Sequence, residues 1–160
     1  MRKKSDIEKA YPSKEALEIP SEWSLMIVED EEGPMVLRMN HGYKDLIGHP
    51  EYNFQVGVAV PLNNPTEAGF HEEEEGLEVA VIEEQLVELL QNDKLALFVF
   101  SQCSGGGKEW VFYTGNPDEV EKRIEAVRNS VTTHTLQNFS QEDPDWEIYQ
   151  EFGGGSDQDL

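Results

Sequence analysis

Tyr52-Asn53-Phe54-Gln55-Val56-Gly57-Val58-Ala59-Val60 alternates large apolar residues with small or polar ones without a break. Period two places Tyr52, Phe54, Val56, Val58 and Val60 on one face of a strand and Asn53, Gln55, Gly57 and Ala59 on the other. Pro61 and Pro65 end the strand, since proline lacks the N–H that a ladder needs. Residues 61–76 read as loop. From about Leu77 to Gln91 the period changes: Val79, Ile82, Leu86 and Leu89 recur at intervals of three and four, the stripe of an amphipathic helix. The preceding acids Glu72–Glu75 lie near the positive end of its dipole, where negative charge stabilises.

Leu95–Phe100 is apolar on both faces, so it is a strand that needs cover on both sides. Ser104-Gly105-Gly106-Gly107 is a hairpin turn, and Glu109–Thr114 is the returning strand. Asn116-Pro117-Asp118-Glu119 starts a second helix. Asn116 can cap it, Pro117 suits the first helical position and Glu119 completes a capping box. Val120, Ile124 and Val127 form its stripe, which fades after Arg128, and residues 133–139 make a last strand. The order strand, helix, strand, strand, helix, strand predicts an α+β protein. Its ferredoxin-like βαββαβ unit is an antiparallel sheet with both helices on one face.

A β-hairpin precedes this unit. Trp23, Leu25 and Ile27 alternate with Ser24, Met26 and Val28, as in a strand with one well-buried face; Asp30–Pro34 turns, and Met35–Met39 returns. The hairpin either extends the sheet or covers its open face. Three covers are available for the second face of 95–100: the hairpin, the 143–152 segment, or a second copy in a homodimer through the open sheet face. Residues 1–20, broken by Pro12 and Pro20, read as a flexible arm, 21–152 as a single domain, and 153–160 as a disordered tail.

Asp and Glu number 33 against 12 Lys and Arg, a net charge of −21. Four of the bases, Arg2, Lys3, Lys4 and Lys9, sit in the first ten residues, leaving −23 on the remainder. Such a field repels phosphate backbones and anionic membrane surfaces, so neither nucleic acid nor membrane is an expected partner. It suits solubility, or a basic protein partner. No apolar run approaches the roughly 20 residues that span a bilayer, and no apolar stretch follows the basic start as it would in a secretory signal. The single cysteine, Cys103, allows no internal disulfide. A cytoplasmic protein is expected.

No catalytic constellation stands out. Gly105-Gly106-Gly107-Lys108 joins two strands and is followed by Glu109, unlike a phosphate-binding loop. His41, His49, His71 and His134 lack metal-ligand spacing, so neither a metal nor another cofactor is expected. Cys103 has no base beside it in the sequence. With 33 acids, no carboxylate pair is distinctive. Arg38 is one of few cations and pairs with an internal carboxylate or binds an anion. In Asp143-Pro144-Asp145-Trp146-Glu147-Ile148-Tyr149, Trp146 and Tyr149 are three apart and share one face of a helical turn. That turn is either a lid on the sheet or an aromatic anchor with an acidic rim for a partner, with Asp143, Trp146 and Tyr149 as its binding residues.

Several of these pieces together resemble a bacterial family, the domain-of-unknown-function family six-ninety-five. They are Trp-Ser-Leu-Met-Ile at 23–27, Val-Leu-Arg-Met-Asn at 36–40, Gly-Val-Ala-Val-Pro-Leu at 57–62, Glu-Ala-Gly at 67–69, Trp-Val-Phe-Tyr-Thr at 110–114 and the Asp-Pro-x-Trp-x-x-Tyr ending. The resemblance covers roughly residues 22–152 and implies no established activity. Some members resemble fusions with an acidic domain similar to an inhibitor of the RNA-degrading endonuclease E.

The expectation is therefore an uncharacterised, non-enzymatic and strongly acidic interaction or regulatory module with a basic partner. The alternative is a small-molecule-binding domain or enzyme with a pocket between sheet and hairpin, formed by Arg38, His41 and Tyr113.

Overall fold

The alternating and helical periods become six strands, three α-helices and one 3-10 helix in the computed structural model, which describes residues 10–155. In chain order these are β1 (Trp23–Asp30), β2 (Gly33–Asn40), the 3-10 helix (His41–Leu46), β3 (Phe54–Pro61), α1 (Glu73–Gln91), β4 (Ala96–Ser104), β5 (Gly107–Thr114), α2 (Pro117–Ser130), β6 (Gln137–Glu142) and α3 (Glu147–Glu151). The strands form one sheet in the order β1-β2-β4-β5-β3-β6, and every neighbouring pair is antiparallel. The protein is thus a mixed α+β structure around a six-stranded antiparallel sheet.

Two cores lie on the two faces of that sheet. On one, Val79, Ile82 and Leu86 of α1 and Val120, Ile124 and Val127 of α2 pack on Val56, Val58, Val60, Phe98, Trp110 and Phe112. On the other, Leu37, Met39, Leu97, Val99, Phe100, Val111 and Tyr113 are covered by Leu17, by Tyr43 and Leu46 of the 3-10 helix, and by Trp146 and Tyr149. The double-sided apolar pattern of 95–100 is explained by this arrangement. An irregularity between Phe98 and Phe100 helps, since it turns both Val99 and Phe100 to the second face. The chain's own residues cover that face, so burying it does not require a second copy.

The hairpin extends the sheet. Met35–Met39 of β2 pairs with Phe100–Ser104 of β4, which leaves β1 as the edge. The expected buried face of β1 is a correction: Leu25 is 68% and Ile27 67% exposed. They share a face with Arg38 and Val36, their cross-strand partners, and α1 reaches only as far as Arg38, through Glu83. The row beyond it is left bare.

Other boundaries moved for local reasons. Helix α1 begins at Glu73, a full turn before Leu77, with Glu73, Glu74 and Glu75 in its first turn. Tyr52 is not in the strand. It belongs to the second core and donates its hydroxyl to the Lys94 carbonyl at 2.8 Å, while β3 starts at Phe54. The last strand starts at Gln137, because His134 and Leu136 are buried in the connection before it. Asn116 caps α2 by accepting from the Glu119 N–H at 3.1 Å, but Glu119 turns its carboxylate to Arg123, so the reciprocal half of a capping box is absent.

Residues 10–20, read as part of a loose arm, lie against the fold. Leu17 is buried, Tyr11 donates to the Ile47 carbonyl at 2.7 Å, and the Pro12 carbonyl accepts from His49 at 2.8 Å. Residues 1–9 of the arm and 156–160 of the expected tail lie outside the described residues. Gly154 closes the described chain by donating to the Tyr149 carbonyl at 2.8 Å; a Cβ there would meet the Tyr149 ring at 2.5 Å.

Candidate functional site

The Asp143–Tyr149 segment is built around one carboxylate. Asp143 Oδ1 accepts from the Glu147 N–H at 2.7 Å, and Oδ2 accepts from the Ile148 N–H at 3.0 Å. These are N–H groups that a helix start leaves without partners. The Tyr113 hydroxyl donates to Asp143 Oδ2 at 2.6 Å and accepts from the Tyr149 N–H at 3.2 Å. Trp146 takes a left-handed conformation, φ 57°, that swings its ring under α3. The ring stacks on Tyr113 at 4.2 Å with planes 6° apart and donates Nε1–H to the Tyr52 carbonyl at 2.8 Å. The Tyr149 hydroxyl reaches the Asn40 carbonyl at 2.6 Å. Trp146 and Tyr149 are both 0% exposed. This corrects the anchor reading: a ring with no surface offers nothing to a partner, and the segment is a clasp that closes the second core. Burial pushes the Tyr113 hydroxyl well above its ordinary range, and the Asp143 charge pushes it further.

Arg38, His41 and Tyr113 do not converge. Arg38 points to the helix face, where Nη1 contacts both Glu83 oxygens at 3.1 Å, while Tyr113 lies in the core on the opposite face. His41 sits at the start of the 3-10 helix with Nε2 2.9 Å from the Ser24 hydroxyl. The hairpin continues the plane of the sheet rather than crossing it, so the expected pocket between the two does not form around these residues.

What surrounds Arg38 is a surface groove of about 400 Å³ lined by Trp23, Arg38, Glu83, Glu84, Val87, Glu88, Gln91 and Phe98. The guanidinium carbon lies 4.8 Å from the Trp23 ring centroid and 5.9 Å from that of Phe98. Trp110 donates Nε1–H to Glu83 Oε1 at 2.9 Å, so one carboxylate ties α1 to both β2 and β5.

With the clasp and the groove placed, the family can be assigned. A family model described as a family of unknown function, DUF695, matches residues 21–152. The chain belongs to DUF695. No curated protein and no solved structure matches it. In this DUF695 chain the matched span opens on the edge strand β1 and closes at the end of the clasp, so it takes in the whole sheet.

A second polar hub of the DUF695 domain escaped the sequence reading. Glu75, in the first turn of α1, is buried and accepts from the Asn63 and Asn64 N–H groups at 2.5 and 2.9 Å. Its Oε2 lies 2.6 Å from His134 Nε2. Burial works to raise the Glu75 carboxyl, but the two backbone donors and His134 together hold it below its ordinary value. The pair is 59 residues apart in sequence, and no local pattern announces it. Glu83 is hidden in the same way, as one of many acids on a helix. Cys103 is buried, and burial raises its thiol, so it is not poised as a nucleophile. Among the described residues, no three His, Cys, Asp or Glu side chains are grouped to hold a metal ion, and no helix is long and apolar enough to cross a membrane.

Proposed function

We propose that this protein is a non-enzymatic, strongly acidic interaction or regulatory module that binds a basic partner in the cytoplasm. The observation that carries the reading is how its positive charge is used. Every arginine among the described residues already contacts a carboxylate: Arg38 with Glu83, Arg123 with Asp93 and Glu119, and Arg128 with Glu125. The acids left over are exposed, among them Glu73, Glu74, Glu84 and Glu88 on α1 and Asp118 and Glu121 on α2. A surface of one sign steers an oppositely charged protein and rejects phosphate. The free, buried Cys103 is consistent with a reducing compartment.

The framework is read as ferredoxin-like. The order β4-β5-β3-β6, with α1 and α2 packed on one face, supports this for residues 54–142, with the hairpin added beside β4.

The test is capture from a nuclease-treated bacterial lysate at low and physiological salt, followed by titration with each purified basic protein retained. One partner held at physiological salt, with affinity that falls as salt rises, is the expected result. Retention only of assorted basic proteins that wash off together would reduce the charge to a solubility device. Binding indifferent to salt would contradict the electrostatic basis.

A further inference from the structure

The edge strand β1 carries features that edge strands ordinarily avoid. It is eight residues long and contains no lysine and no proline, the usual guards against pairing with another chain. Its outer edge pairs with no strand among the described residues. Leu25 and Ile27 are 68% and 67% exposed, and Trp23, at 36%, is partly open beside them on the same side.

The backbone phase can be read from one bond. The His41 N–H donates to the Glu22 carbonyl at 2.9 Å, while the Glu22 N–H goes to Asn40 Oδ1 at 3.1 Å, so Glu22 and His41 occupy the position of a hydrogen-bonded pair at the end of the β1–β2 ladder. Such pairs alternate along an antiparallel ladder. Ser24, Met26 and Val28 therefore turn their backbone groups to β2, and Trp23, Leu25 and Ile27 turn theirs to the open edge. The three residues of the Trp23–Leu25–Ile27 row are thus also the ones that offer donors and acceptors to the open edge, whereas Val28, 37% exposed on the other face, turns its backbone to β2.

We infer that β1 is a docking edge that adds an extended segment of a basic partner as a seventh strand, with apolar side chains alternating with Lys or Arg. Alternate apolar side chains of that strand continue the Trp23–Leu25–Ile27 row over the shelf left bare by α1. Its cations meet the exposed acids along the border, Glu84 and Glu88 on the α1 wall of the groove and Glu22 and Glu29 at the two ends of β1. Main-chain bonds hold such a strand, and side-chain pockets select it. Charge decides against a second copy as occupant, because each copy carries −21. The inference rests on the acidic-module reading and adds where the partner sits.

The test uses the full chain and a short synthetic peptide alternating lysine and valine. Hydrogen exchange is followed at individual amides and binding by tryptophan emission; Trp23 is the exposed tryptophan, Trp110 and Trp146 being fully buried. The expected result is slowed exchange at the outward amides of Leu25 and Ile27. Ile27→Pro, which removes an outward N–H and leaves the bonds to β2 intact, should weaken binding about tenfold or more. Leu25→Lys, at an exposed side chain, should weaken it comparably without touching the backbone. Undiminished binding by both variants, or protection that falls on another surface while binding remains salt-sensitive, would overturn the edge assignment and leave the acidic module standing. Absence of binding even at low salt would overturn both. Protection of the same amides without peptide, growing with protein concentration, would replace the basic partner with a second copy.

Discussion

Two carboxylates each satisfy a pair of backbone N–H groups: Asp143 those of Glu147 and Ile148 at the start of α3, and Glu75 those of Asn63 and Asn64 in the loop after β3. Around Asp143, deletion of the Trp146 ring should be the most damaging single change. Trp146→Ala removes a fully buried ring and is expected to cost about 3–5 kcal/mol. Tyr149→Phe keeps the ring but leaves the Asn40 carbonyl without its donor, for about 1–3 kcal/mol. Urea denaturation of both variants checks the size and the ranking; a Trp146→Ala protein as stable as the parent would refute the clasp. Glu75 makes a pH prediction. Its folded carboxyl lies below its ordinary value of 4.5, so near that pH the unfolded chain binds more protons than the folded one. The stabilisation is complete above the unfolded value and is lost as pH falls through the folded one. Glu75→Gln should therefore destabilise the protein at neutral pH and flatten the acid side of its stability profile. Parallel acid limbs for parent and variant would refute this.

At the scale of elements, α1 is tied to the sheet by its apolar stripe and by Glu83. Glu83→Ala leaves the buried Trp110 Nε1–H without an acceptor and frees Arg38, with an expected loss of about 1–3 kcal/mol. If the cost lay within a few tenths of a kcal/mol, the apolar stripe alone would be holding the helix. The elements also show which signals reach the sequence. Period two in β3 and period 3.6 in α1 and α2 are local, and so is the Asn116-Pro117 start of α2. The position of β1 is not local. Trp23, Leu25 and Ile27 have the alternation of a buried strand, yet whether that row is covered depends on how far α1 extends across the sheet. The same holds for Tyr52, whose apolar ring fits the strand pattern but packs with the opposite face.

For the whole molecule the governing quantity is −21. Like charges on a compact surface repel one another, and salt screens them over a Debye length of about 8–10 Å. The melting temperature should therefore rise as sodium chloride is raised from low to physiological concentration. No rise would mean that the acids are already balanced by local pairing.

Element types, turns, helix caps and the acidic surface are written in short-range patterns, because backbone propensity and amphipathic period act within a few residues. The Asp-Pro-x-Trp-x-x-Tyr letters show a motif, but they suit both a lid on the sheet and an anchor for a partner. Burial of Trp146 and Tyr149 against Tyr43, Tyr113 and Asn40 separated the two. Polar and aromatic residues near the 38–49 loop suggest a pocket of Arg38, His41 and Tyr113, but the sheet lies between Arg38 and Tyr113, a separation that only cross-strand register reveals. The Glu75–His134 and Arg38–Glu83 pairs, the in-plane hairpin and the bare row of β1 arise from contacts between distant parts of the chain. They were decided by tertiary packing, since the energy of each depends on which groups are removed from water together.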